Sequence, residues 1–485
     1  MSLLIGDIVT LAALTAPHGL AATLGTEQMT FHELDEAADR TANALIGLGV
    51  GAGDTVLWCA TPTLRALDVF VACARVGAVF APVNPGLPMA ERDRVRSYVD
   101  PGLVVSDADF TEPCLRPADL AGGAPGFARR ALDDGDPHIL YLTSGSTGRP
   151  KGALVSHRAS WLRAAPGGGT FTTGLRGHGG VVCTFPLYHY GGWHYVMEAW
   201  QHRAAVHLVR RADAADMIDV VQRRRPSALY CIPAVWERLL DREHRHADLR
   251  SLLHADTGTS SVAPDLVERI KARLPGTTTT ILYGSTEAGR MAALHDWDLA
   301  RKPGSVGRAA PPNALWVAED GEVCVRGPAV MSGYLGAAPL AGEYRSGDLG
   351  QLDDEGYLYL TGRTREVIRT GGESVGPAEV EHALRDLPGV LDVAVVGVPD
   401  PGWGEVVCAV LVLPDGSPVP SVAEVRSHVA GRLASFQVPR LVTTAGSIPR
   451  TPATGQIQRT RLREEVLAAF ADPAPKEAAG RGRPS

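Results

Sequence analysis

Small, hydroxylic and basic side chains lie together in one stretch of this chain, Thr143-Ser-Gly-Ser-Thr-Gly-Arg-Pro-Lys151. Glycines let backbone N–H groups approach an anion closely, hydroxyls add donors, and the lysine adds a point charge. The chain has only four lysines, so the presence of one in this stretch is informative. The stretch predicts a phosphate-binding loop, although its lysine lies outside the Walker spacing; the alternative is a flexible Ser/Thr/Gly loop. The predicted contacts are Thr143, Ser144, Gly145, Ser146, Thr147, Gly148 and Lys151.

A second polar stretch, Tyr283-Gly-Ser-Thr-Glu-Ala-Gly289, follows an apolar run that is typical of a strand. The ring of Tyr283 can stack on a base, and the carboxylate of Glu287 suits Mg²⁺ that is bound to phosphates. A third stretch, Tyr188-His-Tyr-Gly-Gly-Trp-His194, is rich in aromatic residues and histidines. It is either a packing cluster in the core or the wall of a pocket for a bulky apolar group.

In their order along the chain, the three stretches resemble the motifs of the adenylate-forming superfamily, which contains acyl-CoA synthetases, peptide-synthetase adenylation domains and luciferases. The resemblance covers residues 25 to 465. It implies two half-reactions at one site. A carboxylate first attacks the α-phosphate of Mg-ATP to give acyl-AMP and pyrophosphate, and the thiolate of coenzyme A then displaces AMP. No aspartate in 186–193 could meet an amino group, which disfavours the peptide-synthetase branch.

The resemblance also implies residue roles. Catalytic positions fall on His189, Thr286, Glu287 and Gln456, with Glu287 the metal ligand. AMP contacts fall on Ser260, Tyr283, Gly284, Ser285, Thr286, Asp348 and Arg363. The acyl pocket falls on His189, Trp193, Thr257, Gly258 and Gly284, with Trp193 as its gate. The hinge between domains is Arg365, and the coenzyme A tunnel falls on His189, Gly371, Gly372 and Glu373. Ser332-Gly-Tyr-Leu335 also resembles a family string, and we expect a structural role for it.

Gln456 departs from the family pattern. In Thr454-Gly-Gln456 the residue after the glycine is glutamine, where the family has a lysine that reaches the carboxylate and the α-phosphate during adenylation. Glutamine is neutral, and residues 366 to 470 contain no lysine. The sequence therefore predicts an enzyme that keeps thioester formation and has lost most of its adenylation. Such an enzyme would take acyl-AMP from a separate adenylating enzyme, as in a split acyl-CoA ligase pair of an actinobacterial antibiotic pathway.

The elements that position these residues are predicted to be α/β in a large domain, 1–364, and α+β in a small mobile domain, 365–470. Residues 55–59 read as a strand, 64–76 as a helix and 78–82 as a second strand, and such a βαβ unit implies a parallel sheet flanked by helices. In the small domain we expect a helix from Pro377, strands at 390–398 and 406–413, and a helix at 422–433. Residues 471–485 read as a disordered tail.

Composition excludes other classes. A net charge of −7 argues against a nucleic-acid surface. The seven cysteines are far apart and read as reduced core residues. No apolar run approaches the ~18 residues of a membrane span, so we expect a cytoplasmic protein. The ligands implied are acyl-adenylate and coenzyme A, with Mg²⁺ only if ATP is used.

Two alternatives stay open. One is a complete ATP-dependent acid–CoA ligase in which Gln456 supports slow adenylation or was introduced by engineering. The other is a catalytically inactive protein that binds acyl-adenylate or coenzyme A. The identity of the acid and the oligomeric state are not specified by the sequence.

Overall fold

The structure is a computed structural model of the 485-residue chain. It describes residues 2–120, 123–127, 131–143, 151–165, 179–260, 262–364, 366–371, 373–451 and 455–471. The predicted tail from 472 onward lies outside the described residues, as do Ser144 to Gly148 of the predicted phosphate loop, Arg365 and Gly372.

The chain forms two compact units. The first is made of Met1–Ala318, Val323–Ser346 and Leu352–Tyr359, and the second of Glu319–Glu322, Gly347–Gln351 and Leu360–Ser485. The chain thus passes into the second unit a few residues before the predicted boundary at 364/365. The second unit also takes in two short segments that the sequence had placed in the large domain.

The first nine helices and first fourteen strands belong to the first unit. The helices are α1 (Ile5–Thr15), α2 (Phe31–Gly47), α3 (Arg65–Val76), α4 (Met89–Val99), α5 (His157–Arg163), α6 (Tyr190–Gln201), α7 (Ala214–Arg224), α8 (Pro233–Leu239) and α9 (Pro264–Arg273). The strands are β1 (Leu20–Leu24), β2 (Glu27–Thr30), β3 (Thr55–Cys59), β4 (Val79–Pro82), β5 (Leu103–Ser106), β6 (Pro137–Thr143), β7 (Lys151–Ser156), β8 (Val181–Cys183), β9 (Val206–Leu208), β10 (Ala228–Cys231), β11 (His254–Gly258), β12 (Ile281–Ser285), β13 (Gly289–Leu294) and β14 (Arg308–Ala309).

Fewer elements follow in the rest of the described chain. The strands are β15 (Ala314–Val317), β16 (Glu322–Arg326), β17 (Gly333–Tyr334), β18 (Tyr344–Leu352), β19 (Leu358–Arg363), β20 (Ile368–Thr370), β21 (Glu373–Val375), β22 (Asp392–Asp400), β23 (Gly404–Val412) and β24 (Leu441–Thr444). The helices are α10 (Pro377–Leu384), α11 (Val422–His428) and α12 (Arg459–Ala471).

Two sheets build most of the first unit. A nine-stranded sheet has the order β14-β13-β12-β11-β10-β8-β9-β1-β2, and a six-stranded sheet has the order β17-β7-β6-β4-β3-β5. The predicted βαβ unit is confirmed, because β3 and β4 pair in parallel with Thr55 opposite Val79 and are joined by α3. A four-stranded sheet follows in the order β15-β16-β18-β19.

The second unit has its own sheet and its own core. Its sheet has the order β21-β20-β23-β22, and β24 pairs with β23. Buried side chains on the two faces of this sheet form separate apolar clusters, one including Val380 and Val395 and the other including Val396 and Leu462. The fold class predicted from the sequence, α/β followed by a small α+β unit, is confirmed.

Local sequence signals explain where several elements begin. The side chain of Thr30 accepts a hydrogen bond from the N–H of Glu33, whose carboxylate accepts from the N–H of Thr30, so the predicted capping box is confirmed at the start of α2. Pro377 begins α10, as predicted. Among the described residues, no helix is both long and apolar enough to cross a membrane. All seven cysteines are free, and six of them are buried.

Candidate functional site

The described ends of the predicted phosphate loop lie side by side. Strands β6 and β7 are antiparallel and place Thr143 opposite Lys151, so the loop between them starts and ends at one point of the sheet. The hydroxyl of Thr143 donates to the carbonyl of Lys151 over 3.3 Å. The Nζ of Lys151 lies 5.1 Å from the centre of the Tyr334 ring, which is a cation–π contact. Ser144 to Gly148 are not described, so their phosphate contacts stay a prediction.

The second polar stretch forms the connection between β12 and β13. Tyr283, Gly284 and Ser285 are the last residues of β12, and Gly284 lies opposite Arg290 of β13. The hydroxyl of Ser285 accepts from the N–H of Ala288 over 3.1 Å, which closes the turn that carries Thr286 and Glu287. The predicted nucleotide contacts between Tyr283 and Glu287 therefore lie on one hairpin.

Arg163, at the end of α5, holds this hairpin from inside the protein. Its buried guanidinium donates to three backbone carbonyls, those of Thr286 at 3.0 Å, Glu287 at 2.7 Å and Ala329 at 2.7 Å. Sequence reasoning did not single out Arg163, because nothing local distinguishes it from the other arginines of the chain.

Glu287 is nearly buried, and its Oε1 accepts a hydrogen bond from the hydroxyl of Tyr334 at 3.0 Å. In the part of the chain that the structure describes, no group of three or more His, Cys, Asp or Glu side chains could hold a metal ion. A single carboxylate still suits Mg²⁺, which is commonly bound by one or two carboxylates together with substrate phosphates and water. The residues present therefore fit a magnesium ion that arrives with a nucleotide.

The predicted acyl-pocket residues of β11 lie inside the fold. Thr257 and Gly258 belong to a strand that is buried along its whole length, and Thr257 has no accessible surface. Gly258 has a φ of +150°, and a Cβ there would lie 2.0 Å from the carbonyl oxygen of Leu282 and 2.8 Å from the hydroxyl of Tyr230. The packing of β11 against its neighbours therefore accounts for this glycine. Thr257 is fully buried here, and its predicted role in lining an acyl pocket stays a prediction.

His189 and Trp193 lie in different surroundings. His189 is half-buried and caps α6, because its Nδ1 accepts from the N–H of Gly191 at 3.1 Å. Burial lowers the pKa of His189 to about 4, so its imidazole is neutral at pH 7. Trp193 is fully buried, stacks on Phe70 with ring centres 4.1 Å apart, and meets Phe80 edge-on. Trp193 thus packs α6 against the core, and its predicted role as the gate of an acyl tunnel stays a prediction.

Behind these residues lies a buried polar cluster that sequence reasoning missed. Arg290 donates to Nε2 of His194 over 3.2 Å and lies 3.7 Å from a carboxylate oxygen of Glu198. Burial raises the pKa of Glu198 to about 7, against the lowering effect of Arg290. Burial likewise raises the pKa of Asp256 to about 7. The i, i+4 spacing of His194 and Glu198 was readable, but their meeting with Arg290 depends on tertiary packing.

In the second unit, two predicted AMP contacts lie together. Nε of Arg363 is 2.8 Å from a carboxylate oxygen of Asp348. The N–H of Gly347 donates to Glu322, and its carbonyl accepts from both the N–H and the hydroxyl of Thr364. Glu322 and Thr364 therefore both hold the turn of Gly347 and Asp348 in place. A carboxylate beside a guanidinium can accept from ribose hydroxyls while the arginine meets a phosphate.

The described residues of the predicted coenzyme A tunnel, Gly371 and Glu373, are exposed. Gly371 has a φ of +59°, and a Cβ there would lie 2.7 Å from the ring of Trp403. The guanidinium carbon of Arg440 lies 3.7 Å from the centre of that ring. The glycine is therefore required by its own backbone and by Trp403, in addition to any room that a thiol arm would need.

Gln456 is half-buried and lies near the C-terminus. Its backbone N–H donates to the hydroxyl of Thr451 at 3.1 Å, and its carbonyl accepts from the N–H of Thr451 at 2.8 Å. Arg450 makes two 2.9 Å contacts with Asp392, and Arg459 pairs with Glu366 and Glu381. The backbone of Gln456 is thus held by Thr451, and these two nearby cations are held by carboxylates.

A two-unit α/β chain with a hydroxyl- and glycine-rich loop, a Tyr-Gly-Ser-Thr-Glu hairpin and a Gly-Asp turn defines a nucleotide-binding enzyme of the adenylate-forming kind. The model of the AMP-binding enzyme family matches residues 11–335, and that of the AMP-binding enzyme C-terminal domain matches residues 379–454. This chain belongs to the AMP-binding enzyme family.

Named relatives span nearly the whole chain. This chain is 32% identical to an indoleacetate–CoA ligase of Aromatoleum aromaticum, over 90% of this chain and 93% of the relative. It is also 32% identical to a feruloyl-CoA synthase of Amycolatopsis, over 92% and 96%. The structure resembles that of o-succinylbenzoate CoA synthetase from Bacillus subtilis in complex with its acyl-adenylate, with a TM-score of 0.84, 25% identity and coverage of 94% and 98%.

Proposed function

We propose that this chain is an acid–thiol ligase of the AMP-forming kind that makes acyl-CoA from acyl-adenylate and coenzyme A, and that its own ATP-dependent adenylation is lost or weak. The observation that carries the second part is Gln456. During adenylation a carboxylate and a phosphate, both anionic, must meet, and a bridging cation stabilises the charge that develops. Losing one such donor typically costs about a hundredfold to a thousandfold in rate.

The surroundings of Gln456 support this proposal. Arg450, Arg459 and Arg461 are the cations nearest to it in sequence, and each is paired with a carboxylate of the second unit. Releasing Arg450 or Arg459 would leave a partly buried carboxylate without its partner, which is unfavourable. Thioester formation needs no cation at this position, because the acyl phosphate is already formed and AMP is a good leaving group.

The other predicted site residues suit an acyl-adenylate. Asp348 and Arg363 would hold the ribose and the phosphate, Tyr283 would stack on adenine, and Gly371 with Glu373 would border the path of coenzyme A. Mg²⁺ would be held by Glu287 and the nucleotide phosphates, where it supplies positive charge, and only when ATP is used. The relatives act by name on indoleacetate and ferulate, so we propose an aromatic carboxylic acid as the acyl group.

If adenylation is lost, a separate adenylating enzyme must supply the acyl-AMP, as in a split ligase pair of an antibiotic pathway. A complete ATP-dependent ligase is the second candidate. It is favoured by the names of the relatives and by the contacts that join Lys151, Tyr334 and Glu287. A binding protein without activity is the third candidate.

To test whether the chain is an acyl-CoA-forming enzyme, the purified protein is mixed with coenzyme A and with synthetic acyl-adenylates of indoleacetate, ferulate or o-succinylbenzoate. Thioester is detected by mass spectrometry. We expect thioester from at least one of them. The matched control is Asp348→Asn, which keeps the size of the side chain and removes its charge, and should lower the rate at equal stability. A folded protein that binds an acyl-adenylate but forms no thioester would contradict the proposal and favour the binding protein.

A further inference from the structure

Tyr334 touches both predicted nucleotide-binding elements of the first unit. Its hydroxyl donates to Oε1 of Glu287 at 3.0 Å, and the Nζ of Lys151 lies 5.1 Å from the centre of its ring. Glu287 is on the β12–β13 hairpin and Lys151 begins β7, so one side chain bridges two different sheets. The sequence had given the Ser332–Leu335 string a structural role only.

The backbone around Tyr334 is attached to the same two elements. The N–H of Met331 donates to the carbonyl of Glu287 at 2.7 Å, and the N–H of Leu335 donates to the carbonyl of Gly152 at 2.8 Å. The carbonyl of Ala329 accepts from Arg163, which also holds the carbonyls of Thr286 and Glu287. Residues 329–335 therefore form a strap between the hairpin and β7, and Tyr334 is the point where the strap reaches the Glu287 carboxylate.

We propose that Tyr334 is a positioning residue that fixes the carboxylate of Glu287 at a set distance from Lys151. Glu287 can then bind a magnesium ion while Lys151 binds the phosphates of the same nucleotide. This rests on the proposed roles of Glu287 and Lys151 in binding a magnesium nucleotide. A carboxylate held at one oxygen by a phenol has a restricted orientation, which leaves its other oxygen aimed in one direction. Partners that orient a metal ligand in this way typically change metal affinity about tenfold to a hundredfold when they are removed.

Two substitutions separate the two contacts of Tyr334. Tyr334→Phe removes the hydrogen bond to Glu287 and keeps the ring beneath Lys151. Tyr334→Leu removes both contacts. Tyr98→Phe is the matched control, because the Tyr98 hydroxyl accepts from the N–H of Gly152 and lies 3.4 Å from the carbonyl of Leu335. It therefore contacts β7 and the strap without reaching Glu287.

The experiment is calorimetric titration of ATP into the full-length protein at a series of Mg²⁺ concentrations and in EDTA. For Tyr334→Phe we expect the apparent Mg²⁺ affinity to fall about tenfold, while ATP affinity in EDTA is unchanged. For Tyr334→Leu we expect ATP affinity in EDTA to fall as well. Tyr98→Phe should keep the Mg²⁺ dependence of the unsubstituted protein, and thermal melting confirms that each variant is folded.

Three results would overturn the proposal: an unchanged Mg²⁺ dependence in Tyr334→Phe, an equal change in Tyr98→Phe, or ATP binding by the unsubstituted protein that does not depend on Mg²⁺. Thioester formation from acyl-AMP and coenzyme A is measured on the unsubstituted protein from the same preparation. It reports the proposed function separately, because that half-reaction uses no Mg²⁺-nucleotide.

Discussion

At the scale of single residues, the proposal that adenylation is lost depends on Gln456. Its backbone is held by Thr451 through hydrogen bonds that any side chain would keep. The backbone at this position is therefore the same for a neutral or a charged side chain, and the proposal depends on the missing charge. An amide donates hydrogen bonds but carries no charge to offset two anions.

Gln456→Lys should recover adenylation. We expect acid-dependent pyrophosphate release to rise by about a hundredfold, or about 3 kcal/mol of transition-state stabilisation. Stability should change by less than about 0.5 kcal/mol, since the backbone bonds of the turn do not involve the side chain. Pyrophosphate release is followed with a coupled phosphate assay. Gln456→Met is the matched control, because it has similar length and no charge and should show no gain. A folded Gln456→Lys protein without any gain would show that other residues also block adenylation.

Lys151→Ala should leave the thioester step within about twofold of the unsubstituted protein. The pyrophosphate side of the loop is empty in that half-reaction, and the contact of Nζ with the Tyr334 ring is worth only about 0.5–1 kcal/mol at a partly exposed site. Initial rates with acyl-AMP and coenzyme A check this. A loss of tenfold or more would mean that Lys151 holds the loop in shape or contacts the AMP phosphate.

At the scale of elements, β11 carries a carboxyl group in an apolar interior. Asp256 has no accessible surface, and one of its carboxylate oxygens accepts from the N–H of Thr280 at 2.7 Å. Burial raises its pKa to about 7, from an ordinary value of 3.8. Because the folded-state pKa is the higher one, the protonated form stabilises the fold, and this contribution is lost as the pH rises from about 4 to about 7.

Asp256→Asn should therefore alter the pH dependence of stability. Asparagine can still accept the bond from Thr280 and does not ionise. We expect the free energy of unfolding of the unsubstituted protein to fall relative to the variant between about pH 4 and pH 7, and the difference to stay constant above about pH 7. Urea unfolding at several pH values measures this. Parallel pH profiles for the two proteins would contradict the raised pKa.

Elements defined by neighbouring residues were predictable. The capping box of α2, the β3–α3–β4 unit and the start of α10 at Pro377 depend on local spacing and on apolar period. The helix predicted at 422–433 ends earlier, at His428, because a short weak period does not specify where a last turn stops. Surroundings that depend on distant residues were not predictable. Trp193 meets Phe70 and Phe80, and Glu198 meets Arg290, only through the fold.

At the scale of the whole molecule, the positions of the motif residues were easier to predict than the surroundings of the predicted acyl-pocket residues. The hairpin of Glu287, the pairing of Thr143 with Lys151 and the Asp348–Arg363 pair all agree with the order of motifs in the sequence. The full burial of Thr257 and Trp193 was not predictable, because residue type does not reveal whether a side chain faces a cavity or the core.

The second unit should fold without the first. Its two apolar clusters lie within residues 368–466, so a fragment spanning 360–471 keeps every side chain that forms them. We expect such a fragment to give a dispersed amide NMR spectrum and a single unfolding transition. Val395→Asp, which places a charge in one of these clusters, should abolish both in the same fragment. A spectrum of an unfolded chain from the unsubstituted fragment would show that its stability depends on the rest of the protein.

The central claim is that thioester formation is retained while adenylation is not. The most direct measurement is the ratio of two initial rates of acyl-CoA formation by one preparation, with acyl-AMP plus coenzyme A in one reaction and the matching acid, Mg-ATP and coenzyme A in the other. Losing a transition-state donor lowers a rate by about a hundredfold to a thousandfold, so we expect the first rate to exceed the second by at least about a hundredfold. Comparable rates in the two reactions would contradict the claim and identify a complete ATP-dependent ligase.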